Sequence, residues 1–294
     1  MLSWSQLATG SFEDEKLTGL KQVFGVATSV LIGCAIVLAW QDLAAPGGAK
    51  PIGVSPVLVF VCLAVLCIIA VLWSVRDYRA WKALGEGGLP TNIWGWVAVT
   101  GMRPFAGDPL DQSVFSELLN GPSDVAYLKG IPPRDMPRPI VAPHAVPHRQ
   151  VSQIPGPEVM QRLSDAFDDI MNNNREVLEY KLSRFEKHNP AIWLRDVESG
   201  NPATGLCGEI GHFHPSDGSM HTILSPSDAR TVIERGWGEL HSMARFKRIF
   251  PTETFVMLYA PGRAGHVPVI KRIIEAATRY ALPVEQNHIK GSSL

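Results

Sequence analysis

The sequence predicts an α+β domain built on a mainly antiparallel sheet with flanking helices, preceded by two transmembrane helices. Three observations carry this. Two long uncharged apolar stretches occupy the first 85 residues. Beyond residue 157, short stretches of alternating polarity take turns with segments of helical period. A tight-turn signal, Pro215-Ser-Asp-Gly218, joins two of the strand-like stretches.

The chain divides into a membrane anchor (1–85), a proline-rich arm or linker (86–156) and the α+β domain (157–294). The expected spans cover residues 22–42 and 54–75. The first is uncharged from Phe24 to Trp40 and the second throughout, and each is near the length needed to cross a hydrocarbon core of ~30 Å. Glu13, Asp14 and Glu15 precede the first span, the wrong sign for a cleaved leader. Lys16 and Lys21 lie before the first span, and Arg76, Arg79 and Lys82 follow the second, whereas the loop between them holds only Lys50. The positive-inside bias then puts both termini in the cytosol and the domain on the cytosolic face, most naturally of the endoplasmic reticulum. Trp40, Trp73 and Trp81 stand where interfacial aromatics belong.

About 210 residues follow the anchor, enough for one domain with a sizeable core. The net charge of −1, with no basic run, argues against nucleic acid as a partner. A small lipophilic substrate and membrane lipid fit better. Cys34, Cys62 and Cys67 fall in the spans, leaving Cys207 alone in the domain. A lone cysteine fits a reducing compartment.

After the spans, 76–84 reads as an amphipathic continuation, broken at 85–90. Residues 92–100 hold Trp94, Trp96 and Val97 in an apolar stretch suited to a membrane face. Six prolines between 132 and 147 exclude regular helix or central strand there. His144 and His148 in this arm read as exposed polar residues. Pro157 opens a helix to about Asn173, with Val159, Leu163, Phe167 and Ile170 on one face. Strands are expected over 177–185, from 191, over 205–214 and over 219–224. Ser225 or Ser227 caps a helix running to Gly236. A strand over 254–260 and a helix over 266–280, with Val269, Ile273, Ile274 and Ala277 inward, complete the domain.

The densest reactive stretch is 209–221. His212 and His214 share a strand face, and the hairpin brings His221 back beside them. Glu209 has the opposite parity to His212 unless a bulge at Gly211 re-aims it. Asp217 lies in the turn. Glu239 and His241 follow Trp237 and Gly238. The candidate catalytic residues are therefore His212, His214, His221, His241, Glu209 and Asp217. Trp237, Glu239 and Tyr259 are candidates for holding substrate. Histidine triads suit a divalent metal, with His212, His214 and His221 as ligands, or metal-free acid–base work on an enol or phenol. Both readings stay open, as do no cofactor at all and O2 as co-substrate.

The segments His212-Phe-His-Pro-Ser-Asp-Gly-Ser-Met-His221, Asp228-Ala-Arg-Thr-Val-Ile-Glu-Arg-Gly-Trp-Gly-Glu-Leu-His241 and Phe255-Val-Met-Leu-Tyr-Ala-Pro261 resemble the fungal luciferase family, as does Arg76-Asp-Tyr-Arg-Ala-Trp81 after a span. The resemblance implies a membrane-anchored enzyme that oxidises 3-hydroxyhispidin with O2. In that family an endoperoxide loses CO2 to leave excited caffeylpyruvate, without flavin or nucleotide. Relatives occur widely in fungi that do not glow, so the resemblance also admits a tailoring enzyme of secondary metabolism acting on a phenolic or polyketide-type compound. A non-catalytic membrane adaptor and a metal-dependent hydrolase are the remaining readings. Leu240 and Ser242 stand where the family pattern has arginine and proline. If that arginine steadies an anionic substrate, this chain has lost it.

Overall fold

The computed structural model of the chain describes residues 56–283 apart from 120, 122–123, 202–203, 205–207, 247–251 and 253. The first expected span, with Cys34, lies outside the described residues, as does Cys207. Two compact units meet at Ala83/Leu84.

The first unit contributes helix α1, Pro56–Ala83. Its stretch Val59–Ala83 is the one helix among the described residues long and apolar enough to cross a membrane. The apolar side chains of Phe60, Leu66, Ile69 and Leu72 are exposed, as lipid-facing groups are. The described residues thus hold one helix of the two expected, and the first lies outside them.

In the second unit Gly85, at φ +83°, follows the helix end. Helix α2, Ile93–Met102, starts at Asn92, whose side chain accepts the amide N–H groups of Trp94 and Gly95. Helix α3, Pro157–Asn173, has proline in its first turn and buries Leu163, Phe167, Ile170 and Met171 along one stripe. Six strands follow: β1 Leu178–Leu182, β2 Pro190–Leu194, β3 Glu209–Phe213, β4 Met220–Ile223, β5 Gly238–Leu240 and β6 Phe255–Leu258. Helix α4, Pro226–Glu234, lies between β4 and β5, and helix α5, Val267–Ala281, follows β6. The sheet order is β1-β2-β3-β4-β6-β5, and every neighbouring pair is antiparallel.

β1 ends sooner than the alternation of polarity suggests. Ser183 breaks it, because its Oγ accepts the amide N–H groups of Phe185 and Glu186 and turns the chain. The predicted turn at 215–218 is present, with Gly218 at φ +73°. Helix α4 is capped by Ser225, whose Oγ accepts Asp228 N–H at 3.3 Å, and Gly236 stands just past it at φ +78°. Asp228 in turn accepts the Tyr127 and Leu128 amides at 3.0–3.1 Å, tying the arm to this helix.

The sheet has two distinct faces. On one, Ile210, Met220, Leu240, Val256 and Leu258 form the main apolar core with Leu163 and Phe167 of α3 and Ile270, Ile273 and Ile274 of α5. On the other, Ile223 and Phe255 join a small apolar cluster with Ala145 from the arm. Alternation along each strand then sends Glu239, His241, His221 and Tyr259 to that second face.

Gly238 explains one half of the Gly-Trp-Gly string. A Cβ there would sit 2.5 Å from the carbonyl oxygen of Met257 on the paired strand. Gly238→Ala is expected to destabilise the domain by about 1–3 kcal/mol, since backbone must move. Thermal or urea unfolding of the variant checks it, and an unchanged midpoint would contradict the close approach.

Candidate functional site

The site begins with the β3–β4 hairpin. His212 and His221 are directly opposed in register. Their ring centroids lie 5.4 Å apart, and His214 stands 4.9 Å from His221. A register shift in β3 against Ile192 and Trp193 makes Ile210 the extra residue, pairing Gly211 and Glu209 with consecutive residues of β2. This bulge re-aims Glu209 to the histidine face, where its Oε1 accepts from His212 Nδ1 at 2.6 Å. Ser183 Oγ and Arg184 N–H complete the carboxylate's bonds at 2.9 and 2.7 Å.

The proline-rich arm supplies the next shell, and here the sequence expectation fails. His144 and His148 are buried, not exposed. The later part of the arm, with only an isolated bridge between Val141 and Gln150, lies across the second sheet face, leaving His148, Arg149 and Gln150 buried. His148 Nδ1 meets His221 Nε2 at 3.3 Å, and His148 Nε2 meets Glu239 Oε1 at 3.1 Å. Tyr259 donates to the second Glu239 oxygen at 2.8 Å. Arg138 donates to the Tyr259 hydroxyl at 3.2 Å and to the carbonyls of Gly238 and Ile233. His241 packs edge-on against His148, with centroids 4.8 Å apart. Five imidazoles thus form one contiguous cluster, each only 0–4% exposed.

A second carboxylate chain starts at Asp217. Ser219 Oγ donates to Asp217 Oδ2 at 2.7 Å and lies 2.9 Å from His214 Nδ1. Gln150 N–H, from the arm, donates to the same Asp217 oxygen at 3.0 Å. Arg149 and Glu186 form a buried ion pair at 2.5 Å, and Glu186 Oε1 comes to 3.6 Å from His214 Nε2.

Burial governs the protonation of this cluster. It drives His214, His221 and His241 well below the ordinary histidine value, and the charges of Arg149 and of neighbouring imidazoles push His214 further down. Desolvation raises Asp217, against the hydrogen bond from Ser219. It also raises Tyr259, aided by the Glu239 carboxylate. His214, His221 and His241 therefore offer neutral, nucleophilic nitrogens in a buried site.

Among the sequence-selected residues, His212, His214, His221, His241, Glu209, Asp217, Glu239 and Tyr259 come together. Trp237 does not. It belongs to the main core on the opposite face, and its Nε1 donates to Pro132 O at 2.7 Å. Leu240 also points into that core. The side chain at position 240 thus faces away from the imidazoles, and the geometry gives no support to a cation lost from the site there. His148, Arg149, Arg138, Glu186 and Ser183 escaped sequence reasoning. All lie outside the strands, where no periodicity marks a buried side chain.

Residues 208–277 match the model of the family described as Luciferase domain. The chain is 29% identical over 230 residues to a luciferase of Armillaria gallica, covering 74% of this chain and 85% of that protein. A luciferase of Armillaria mellea matches at the same identity and coverage. A luciferase of Neonothopanus nambi is 25% identical over 217 residues, 70% of this chain and 80% of the relative. No solved structure matches.

Proposed function

We propose that this chain, which belongs to the luciferase-domain family, is a membrane-anchored oxidative enzyme acting on a phenolic or polyketide-type small molecule with O2. The observation that carries the reading is the five-imidazole cluster. Burying so many polar rings and four carboxylates around one sheet face opposes stability, and such costs concentrate at functional sites. The His221–His148–Glu239 chain, with Tyr259 on the second carboxylate oxygen, gives a route along which an enolic or phenolic proton passes from the imidazole cluster toward a carboxylate. Phe255, stacked on His221 with centroids 5.1 Å apart and planes at 10°, brings the small apolar cluster up against the imidazoles.

The setting is a tailoring step in secondary metabolism, on the cytosolic face of the endoplasmic reticulum. The exposed apolar helix α1 supports membrane anchoring, since it would hold the site where lipophilic compounds concentrate. Light emission from 3-hydroxyhispidin is the second reading, favoured by the similarity to luciferases.

The test uses the full chain in detergent micelles or nanodiscs, with a panel of styryl-pyrones and polyketide phenols in air. Oxygen uptake matched by an oxidised product is expected for at least one compound. Light with 3-hydroxyhispidin would select the second reading. No uptake with any member of the panel would overturn the oxidative function.

A further inference from the structure

We propose that His212 Nε2, His214 Nε2 and His221 Nδ1 bind one divalent first-row transition-metal ion. The argument is the direction of the hydrogen bonds. Ser219 spends its single hydroxyl proton on Asp217, so it accepts from His214, whose Nδ1 carries the proton. Glu209 accepts from His212 Nδ1 at 2.6 Å. Glu239, already accepting from Tyr259, accepts from His148 Nε2. That leaves His148 Nδ1 as the acceptor for His221 Nε2.

Each of the three rings therefore donates outward along a chain that ends on a buried carboxylate: Glu209, Asp217 or Glu239. Each keeps a lone pair pointing inward. His212 Nε2 is buried with no hydrogen-bond partner, and His214 Nε2 faces His221 Nδ1 at 3.2 Å. Two lone pairs cannot bond to each other. They can share a cation. One nitrogen from each ring lies within 4.8 Å of the others. With metal–nitrogen lengths of about 2.0–2.1 Å, two ligands of a tetrahedral ion stand about 3.4 Å apart, close to the separation of His214 and His221. Carboxylates on the outer nitrogens of ligating histidines are the usual supporting arrangement. Imidazole selects zinc, iron, cobalt, nickel or copper over calcium and magnesium.

A second triad, His148, His221 and His241, also clusters. It is disfavoured because His241 Nδ1 already accepts the Met243 amide at 3.2 Å and His148 needs its Nδ1 lone pair for His221.

The inference uses the same cluster as the functional reading, but metal content is measured without any activity assay, so the two can fail separately. Full-length protein, stripped with chelator, is dialysed against Zn²⁺ or Co²⁺ and its metal measured by elemental analysis. About one equivalent per chain is expected, with visible d–d absorption in the Co²⁺ form. His212→Gln should weaken binding about 100-fold or more, while His241→Gln retains the ion. No retention of either ion by the wild-type chain overturns the proposal, even if a variant fails to fold. Loss of the ion in His241→Gln with retention in His212→Gln overturns the assignment.

Discussion

Replacing Arg149 by methionine is expected to lower unfolding free energy by about 3–5 kcal/mol. Arg149 and Glu186 are both buried, and their 2.5 Å pair joins the arm to the turn after β1. Arg149 also donates to the Glu86 carbonyl at 2.9 Å. Methionine fills similar volume but leaves the Glu186 carboxylate with only the weak approach of His214 at 3.6 Å. An uncompensated buried charge is what makes breaking such a pair so damaging. Replacing both partners, Arg149→Met with Glu186→Leu, removes the stranded charge and should recover much of the loss. Urea unfolding of the single and double variants measures the coupling. A single-variant loss under about 1 kcal/mol would contradict the arm's being pinned by this pair.

Glu239→Gln is expected to lower turnover by about 10²–10⁴-fold once a substrate is in hand. Two donors converge on this carboxylate, Tyr259 O–H at 2.8 Å and His148 Nε2 at 3.1 Å. Glutamine offers one acceptor oxygen and turns a donor toward one of them. It also removes the charge that draws a proton along the chain from His221 through His148. Tyr259→Phe removes one donor and leaves the carboxylate, so its loss should be much smaller. The measurement is kcat for oxygen uptake, with circular dichroism to establish folding. A folded Glu239→Gln protein with unchanged kcat would show that Glu239 takes no part in the chemistry.

Local chemistry made much of the fold legible. The stripe Leu163, Phe167 and Ile170 fixes a helix that faces one way, whatever it packs on. Ser225 with Pro226, and Gly236 beyond, bracket α4 because capping needs only neighbouring backbone. The spacing of His212, His214 and His221 across a four-residue turn predicts their convergence, since hairpin register is a short-range property. Leu240 carried a misleading signal: its identity suggested a lost cation, but its parity places it in the apolar core.

The sequence by itself therefore determined five of the six strands of the sheet, missing β5, three of the helices, missing α2, and the three histidines of the hairpin, because period, caps and turns act over a few residues. The tertiary structure alone decided the rest of the site. The arm that brings His148 beside Glu239 crosses 91 positions of sequence. Arg149 finds Glu186 across 37. A bulge opposite Ile192 and Trp193 turned Glu209 onto the histidine face. Such contacts depend on which surface a non-repeating segment covers, and proline-rich chain carries no period from which that surface can be read.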